Sequence, residues 1–289
     1  MALLAVMVAA NGFFAWRWYA SIRHARGRGL PMQPGPVRLG LGFVTNFFDT
    51  LGIGSFAPTS AFIKLRRLTD DQLIPGTLNV GHALPTLLQA AIFISVVAVE
   101  PVTLVSMIAA ASCGAWVGAG VVSRLSRRKI QIGMGTALTV AAALLVLVNV
   151  EVLPGGGDTL HLSGAALVFA VAVNFLLGAF MTLGIGLYAP CLIVVSLLGM
   201  NPIAAFPIMM GSCGLLMPVA AIQFVRSERY DMRIALGLAI GGIPAIIIAA
   251  FLVKSLPLAV LRWLVVIVVL YAAVAMLRSA FGKQSGSTG

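Results

Sequence analysis

A nine-residue motif with two glycines and a proline occurs twice in the chain. Thr50-Leu-Gly-Ile-Gly-Ser-Phe-Ala-Pro58 returns as Thr182-Leu-Gly-Ile-Gly-Leu-Tyr-Ala-Pro190, with seven of nine positions identical and an offset of 132 residues. Glycine adopts backbone angles that other residues avoid, and proline is tolerated at the first position of a helix. The motif therefore predicts that one helix stops at the glycines and another starts at the proline.

Each new helix would present unpaired backbone N–H groups in its first turn. The N-terminus of a helix carries about half a positive charge and binds anions. Two such ends facing each other in the middle of the protein would form a site for a small anion, and a bulky side chain at Gly54 or Gly186 would block the approach to it. The predicted free N–H groups follow Pro58 and Pro190, at Thr59, Ser60, Cys191 and Leu192.

Polar and small residues in and after the two motifs are the candidate substrate ligands. Asn79 and His82 are three residues apart, so they share one face of the helix after the first motif. Ser212 and Cys213 lie in the corresponding stretch after the second motif. The full predicted set is Thr50, Gly52, Gly54, Ser55, Thr59, Ser60, Asn79, Gly81, His82, Thr182, Gly184, Gly186, Tyr188, Cys191, Ser212 and Cys213.

Two prolines fall inside the helices that follow the motifs. Pro85 removes the hydrogen bond to the carbonyl of Gly81, and Pro218 does the same to Gly214. Both helices should bend at these points.

Asp49 is an ionisable residue in a predicted mid-membrane segment. Such a residue indicates a function, although a protonated acid bonded to nearby backbone is an equal alternative. Asp49 and His82 are the candidates for coupling transport to a proton, because histidine titrates nearest neutral pH. The amides of Asn46 and Asn174 are better explained by hydrogen bonds between packed helices.

The composition is that of a membrane protein. The 289 residues are 60% hydrophobic and 9% charged, with a mean hydropathy of +1.06, whereas soluble domains are about 25% charged. The net charge of +11 is spread between apolar runs, so nucleic-acid binding is not expected. The motifs HExxH and GxSxG are absent from the sequence, so an enzyme is not predicted, and neither is a cofactor or a bound metal.

The distribution of Lys and Arg predicts the topology, because short cytoplasmic loops are rich in both. The basic loops on both sides of segment 38–64 place its two ends in the cytoplasm, which makes it a re-entrant hairpin. Segment 163–199 is the matching hairpin from outside. Every Lys and Arg except Lys254 and Arg262 then lies at the cytoplasmic side. The N-terminus would be outside and the C-terminus inside.

The predicted fold is an all-α polytopic membrane domain with two inverted repeats. Each repeat has one re-entrant hairpin and three transmembrane helices, an odd number of crossings, so the second copy is inverted. Residues 1–30 form an extra N-terminal transmembrane helix with its basic loop, 38–150 form the first repeat and 163–280 the second. Inverted repeats with interrupted helices are typical of secondary transporters, which bind substrate near the bilayer midplane.

Two features of the sequence carry a family resemblance: the glycine-rich turns that lead to Pro58 and Pro190, and the glycine-rich helix that ends in a basic turn at 114–128. Through them the chain resembles the sulfite exporter TauE/SafE family, also called the 4-toluene sulfonate uptake permeases. The resemblance covers about residues 38–280. It implies transport of sulfite, sulfonates or related organic anions. Where members of the family often have Thr-Ser, this chain has Asn79-Val-Gly-His82.

The expected function is therefore a secondary transporter, an exporter of a small oxyanion such as sulfite or an organosulfonate. A cation or metal-ion transporter and a proton-coupled organic anion importer are the alternatives. The expected partners are a small anion and the lipid bilayer of a bacterial inner membrane, with the chain as a monomer or a homodimer.

Overall fold

A computed structural model describes residues 2–29, 32–121, 127–150, 152, 157–181 and 186–281. Within these ranges the chain is α-helical and contains no strand, apart from one isolated bridge between Thr159 and Met200. The described part holds eleven α-helices: α1 Ala2–Gly27, α2 Gly35–Thr50, α3 Phe56–Leu65, α4 Ile74–Val96, α5 Pro101–Val121, α6 Arg127–Asn149, α7 Gly164–Met181, α8 Tyr188–Leu197, α9 Ala205–Arg226, α10 Met232–Ser255 and α11 Leu258–Phe281.

Five of these helices are long and apolar enough to cross a membrane, judged over the described residues. The apolar stretches of α5, α6 and α8 are shorter, and α1 is not among the five. An all-helical chain with several such helices is a multi-pass membrane protein. The five spans are Ile74–Val96, Gly164–Met181, Pro202–Arg226, Met232–Val253 and Arg262–Phe281.

The glycines of the first motif separate α2 from α3. Gly52 and Gly54 have φ angles of 92° and 86°, a region that residues with a side chain rarely adopt. The predicted helix break in the first copy is therefore confirmed. In the second copy α7 ends at Met181 and α8 begins at Tyr188, and residues 182–185 between them lie outside the described ranges.

The elements of the two halves recur at nearly constant spacing. Helices α3 and α8 are both ten residues long and begin 132 residues apart, and α4 and α9 begin 131 residues apart. The two short helices differ in their surroundings. Most of α8 is buried against α9, α11, α6 and α7, whereas α3 packs mainly against α4 and α2 and exposes Leu65.

Helices pack across the halves in reciprocal pairs. Helix α2 lies against α10 and α7 lies against α5, while α4 pairs with α9 and α6 with α11. Glycines bring the backbones together: a Cβ on Gly114 would overlap the carbonyl oxygen of Phe175, and one on Gly241 would overlap that of Leu39. Close backbone approach at small residues is the usual way in which membrane helices associate.

One end of the bundle, called the basic end, gathers the loops around residues 28–38, 64–77 and 226–234. There Arg233 Nε donates to the carbonyl oxygen of Gln33 at 3.2 Å, and Arg28 pairs with Glu228 at 3.7 Å. Leu41, Ile63, Ile74 and Ile234 share one apolar cluster. Helix α3 therefore ends beside the starts of α2, α4 and α10.

The opposite end gathers the loops around residues 97–103, 157–163 and 199–204. The backbone N–H of Glu100 donates to Leu160 at 3.0 Å, and that of Asn201 donates to Thr159 at 2.9 Å. The carboxylate of Glu100 accepts the N–H groups of Thr103 and Val102 in the first turn of α5, and these bonds lower its pKa. Arg262, one of the two cations expected here, pairs with Asp158 at 3.6 Å.

Helix α1 packs against α9 and α4. The Nδ2 of Asn11 donates to the carbonyl oxygen of Gly214 at 2.9 Å. Pro218 cannot donate to that carbonyl because it has no N–H. Asn11 thus satisfies the backbone group that the proline leaves unpaired in the middle of α9.

The contact between α5 and α7 leads to a stability prediction. A Cβ on Gly178 would overlap the carbonyl oxygen of Ala111, whereas one on the exposed Gly133 of α6 would have no neighbour within 4 Å. We expect Gly178→Ala to lower the free energy of unfolding by about 1–3 kcal/mol. Gly133→Ala should raise it by about 0.5–1 kcal/mol, because alanine favours a helix. Melting temperatures in detergent would measure both, and equal shifts in the two variants would contradict the packing.

Candidate functional site

A buried polar network surrounds the first helix break. The amide Nε2 of Gln89 in α4 donates to Asp49 Oδ2 at 3.0 Å and to Thr50 Oγ1 at 2.9 Å. Thr50 Oγ1 in turn donates to the carbonyl oxygen of Asn46 at 2.8 Å. The hydroxyl and the backbone N–H of Ser55 complete the hydrogen bonds to Asp49. All five side chains are buried.

The network reaches the second helix break through Tyr188, the first residue of α8. Its hydroxyl donates to Gln89 Oε1 at 3.3 Å. Gly52 also faces the second half, because a Cβ on it would lie 3.5 Å from Met209 and 3.8 Å from Leu192. The end of α2 and the start of α8 therefore meet at one amide side chain.

His82 occupies the next position along the same face of α4. Its Nδ1 lies 3.1 Å from Asn46 Oδ1, and its Nε2 lies 3.3 Å from the hydroxyl of Thr59. Asn46 Nδ2 already donates to the carbonyls of Gly42 and Leu238, so Oδ1 is left to accept. Nδ1 of His82 therefore carries a proton and donates to Asn46, and in the neutral imidazole Nε2 accepts from Thr59.

Fewer polar groups meet in the second half. Asn174 Nδ2 donates to the carbonyl oxygen of Met107 at 2.7 Å and contacts Ser212 Oγ at 3.3 Å. Cys213 Sγ lies 3.6 Å from Met181 Sδ, and both sulfurs are buried. Asn174 thus joins α7 to α5 and α9, as expected of a packing amide.

The structure brings together seven of the predicted residues and separates others from them. The acceptor that the described residues give Asn79 is the carbonyl of Pro75 in its own helix, and Gly81 packs against Leu238 of α10. Gly186 is exposed, and no described atom lies within 4 Å of a Cβ added to it. Thr182 and Gly184 lie outside the described residues. The seven that share the network are Asp49, Thr50, Ser55, Thr59, His82, Tyr188 and Cys213, whose thiol is a hydrogen-bond partner of the Tyr188 hydroxyl.

The predicted positions of the free N–H groups are wrong. The N–H of Thr59 donates to Ser55 at 3.1 Å, and that of Cys191 donates to Leu187 at 3.0 Å. Helices α3 and α8 begin two residues before their prolines, so Ser60 and Leu192 lie deeper still in regular helix. The first-turn N–H groups that lack an intrahelical acceptor are those of residues 56 and 57 in α3, and 188 and 189 in α8.

Gln89 was not among the predicted residues, and Asn46 was assigned to packing alone. Gln89 could have been found from the sequence, because it is an amide inside the long apolar segment 72–99. It follows His82 by seven residues and therefore lies on the same face of the helix. With Thr86, which donates to the carbonyl of His82 at 2.7 Å, these residues form the polar stripe of α4.

A cavity of about 560 Å³ opens between α5 and α7, away from this network. Its lining is almost wholly apolar and includes Ala110, Val168, Val171 and Phe175. Among the lining side chains one serine hydroxyl could donate a hydrogen bond to an oxyanion, so the cavity is a poor candidate for the substrate site. Among the described residues no three His, Cys, Asp or Glu side chains are grouped to hold a metal ion.

Comparison of the chain with protein-family models, curated proteins and solved structures found no match.

Gly54 and Gly186, the two positions where a bulky side chain was expected to block the site, differ in what a substitution would meet. At Gly54 an added Cβ has no neighbour within 4 Å, but φ is 86°, so the backbone angle is the obstacle and not a steric block. We expect Gly54→Val to cost more stability than Gly54→Asn, because positive φ costs an ordinary L-residue about 1–2 kcal/mol and asparagine adopts it more readily. Gly186→Val, at a position with neither positive φ nor a close neighbour, is the control. Equal melting temperatures for the three variants would contradict the role of φ.

Proposed function

We propose that the chain is a secondary transporter of a small oxyanion, sulfite or an organosulfonate, which it binds between the two helix breaks. The observation that carries the proposal is the bond from Tyr188 to Gln89, which joins the breaks inside the bundle at 3.3 Å. Non-helical backbone at membrane depth is tolerated where it is buried in protein or lines a cavity. Paired interrupted helices are the usual substrate site of secondary transporters.

The two halves act in this proposal as inverted repeats, 38–150 and 163–280, with α2–α3 and α7–α8 as re-entrant hairpins. The reciprocal packing of α2 on α10 and α7 on α5 supports this, because a two-fold axis exchanges the two pairs. The same axis maps α4 onto α9 and α6 onto α11, and each of these pairs is in contact. A hairpin and three crossings leave each repeat on the opposite side, which inverts the next one.

The basic end faces the cytoplasm of a bacterial inner membrane in this proposal, since positive residues are retained on the cytoplasmic side. Arg28, Arg229 and Arg233 gather there, while the opposite end has Glu100 and the Asp158–Arg262 pair. The N-terminus would then be outside and the C-terminus inside.

An oxyanion suits the donors at the breaks. The Tyr188 O–H and the first-turn N–H groups of α3 and α8 are hydrogen-bond donors, and an anion offers only acceptor oxygens. Export needs no coupled ion, because an inside-negative membrane expels an anion with about 2.3 kcal/mol per charge per 100 mV. The resemblance to the sulfite exporter TauE/SafE family indicates the same substrate class.

A proton-coupled importer of organic anions is the second candidate, and Asp49 favours it. The partners that the described residues give this buried carboxyl group are Gln89 and Ser55, neither of which is cationic. A carboxyl group in a membrane segment without a countercharge is a typical proton carrier. Import of an anion against the membrane potential would need such a carrier.

Efflux of radiolabelled sulfite from proteoliposomes distinguishes the two candidates. For an exporter we expect a potassium diffusion potential, interior negative, to accelerate efflux in both the wild type and Asp49→Asn. Asp158→Asn, at the exposed opposite end, is the matched control. A proton-coupled carrier would give a different result. Its flux would not depend on the potential, would follow an imposed pH gradient and would stop in Asp49→Asn.

A thermal-shift series tests the substrate class directly. A ligand that binds only the folded protein stabilises it by about 2.7 kcal/mol at a hundred times its Kd. We expect sulfite or a small sulfonate to raise the melting temperature in detergent, and chloride at equal ionic strength not to. A rise with divalent cations alone would contradict an anion site.

A further inference from the structure

The side chain of Gln89 joins the two helix breaks, and both its nitrogen and its oxygen form hydrogen bonds. A primary amide has two N–H donors and one carbonyl oxygen. Here the nitrogen donates to Asp49 and Thr50, the last residues before the first break, and the oxygen accepts from Tyr188, the first residue of α8 after the second break. The side chain is fully buried. These four residues are called the Gln89 bridge.

We propose that Gln89 is a positioning residue that holds the two breaks together in the empty transporter and gives up Tyr188 to the substrate. This inference rests on the proposed function. An oxyanion between the breaks would compete with Gln89 Oε1 for the hydroxyl of Tyr188, because both are acceptors and the hydroxyl has one proton. Binding therefore exchanges a protein acceptor for a substrate oxygen.

This exchange of acceptors gives the hydrogen bond between Tyr188 and Gln89 a purpose in the empty protein. An unpartnered hydroxyl in the bundle would cost about 1–3 kcal/mol, and Gln89 removes that cost while the site is empty. Gln89 also fixes the direction of the Asp49 carboxyl group while the site is empty. Its effect on the substrate passes through Tyr188.

A double-mutant cycle on the empty protein tests the bridge without any assumption about the substrate. Gln89→Met removes every polar atom of the amide at similar length, and Tyr188→Phe removes one oxygen. We expect each to lower the melting temperature and the double variant to fall no further than the lower single variant, since the shared bond is lost once. Additive losses would overturn the bridge. If Gln89→Met fails to fold, Gln89→Glu replaces it. Glutamate keeps an acceptor for Tyr188, so in this cycle the two losses should add, and a double variant no less stable than Gln89→Glu would overturn the bridge.

Sulfite kinetics in proteoliposomes separate positioning from a merely structural role. We expect Tyr188→Phe to raise KM roughly three- to tenfold, the range of one hydrogen bond. Gln89→Met should lower KM, because the anion then takes the Tyr188 hydroxyl without displacing Gln89 Oε1. In the Tyr188→Phe background Gln89→Met should leave KM unchanged. Gln131→Met is the matched control, because Gln131 is a buried amide that contacts Ser279 at 3.1 Å, outside the bridge. An unchanged or raised KM in Gln89→Met, or an equal fall in Gln131→Met, would overturn the proposal. If the wild type moves no sulfite, the proposed function fails and the melting cycle alone decides the bridge.

Discussion

The structure depends on one constraint: a backbone N–H or C=O inside a membrane protein has no water to bond to and must find a partner in the chain. Helices meet the constraint by themselves, whereas breaks and prolines do not. The carbonyl of Gly214, which Pro218 leaves unpaired, is met by Asn11 from another helix. At the first break the backbone N–H of Gly52 donates to Asp49 at 2.9 Å and that of Ile53 donates to Phe48 at 3.1 Å, so the turn closes on itself.

The same constraint on side chains accounts for the polar network. A buried carboxyl group, an imidazole and two amides persist inside an apolar bundle because nearly every polar atom has a partner. The partners come from α2, α3, α4 and α8, elements far apart in sequence. Satisfying these groups thus fixes the positions of both breaks relative to α4, and this is the arrangement that a substrate would have to change.

Much of the fold could be predicted from the sequence. The repeated motif gave the equivalent helices α3 and α8, and the Lys and Arg pattern gave the basic end. The exact helix starts could not be predicted from Pro58, because none of the first-turn N–H groups has an intrahelical acceptor and proline is therefore tolerated beyond the first position. Gln89 was missed for a different reason. Its importance arises from the meeting of α2, α4 and α8, and a single sequence does not show which helix faces meet.

Helix α1 precedes both occurrences of the glycine–proline motif, yet Asn11 completes a backbone hydrogen bond in α9. Gly214 follows Asn11 in the chain by 203 residues. At about 5–20 residues per second, α9 leaves the ribosome roughly 10–40 s after α1. Until α9 is made, the other acceptor that the described structure gives the Nδ2 of Asn11 is the carbonyl of Met7 in its own helix, at 3.0 Å. The contact of α1 with α9 is therefore a late step of biogenesis, and the helix that is made first completes one that is made much later.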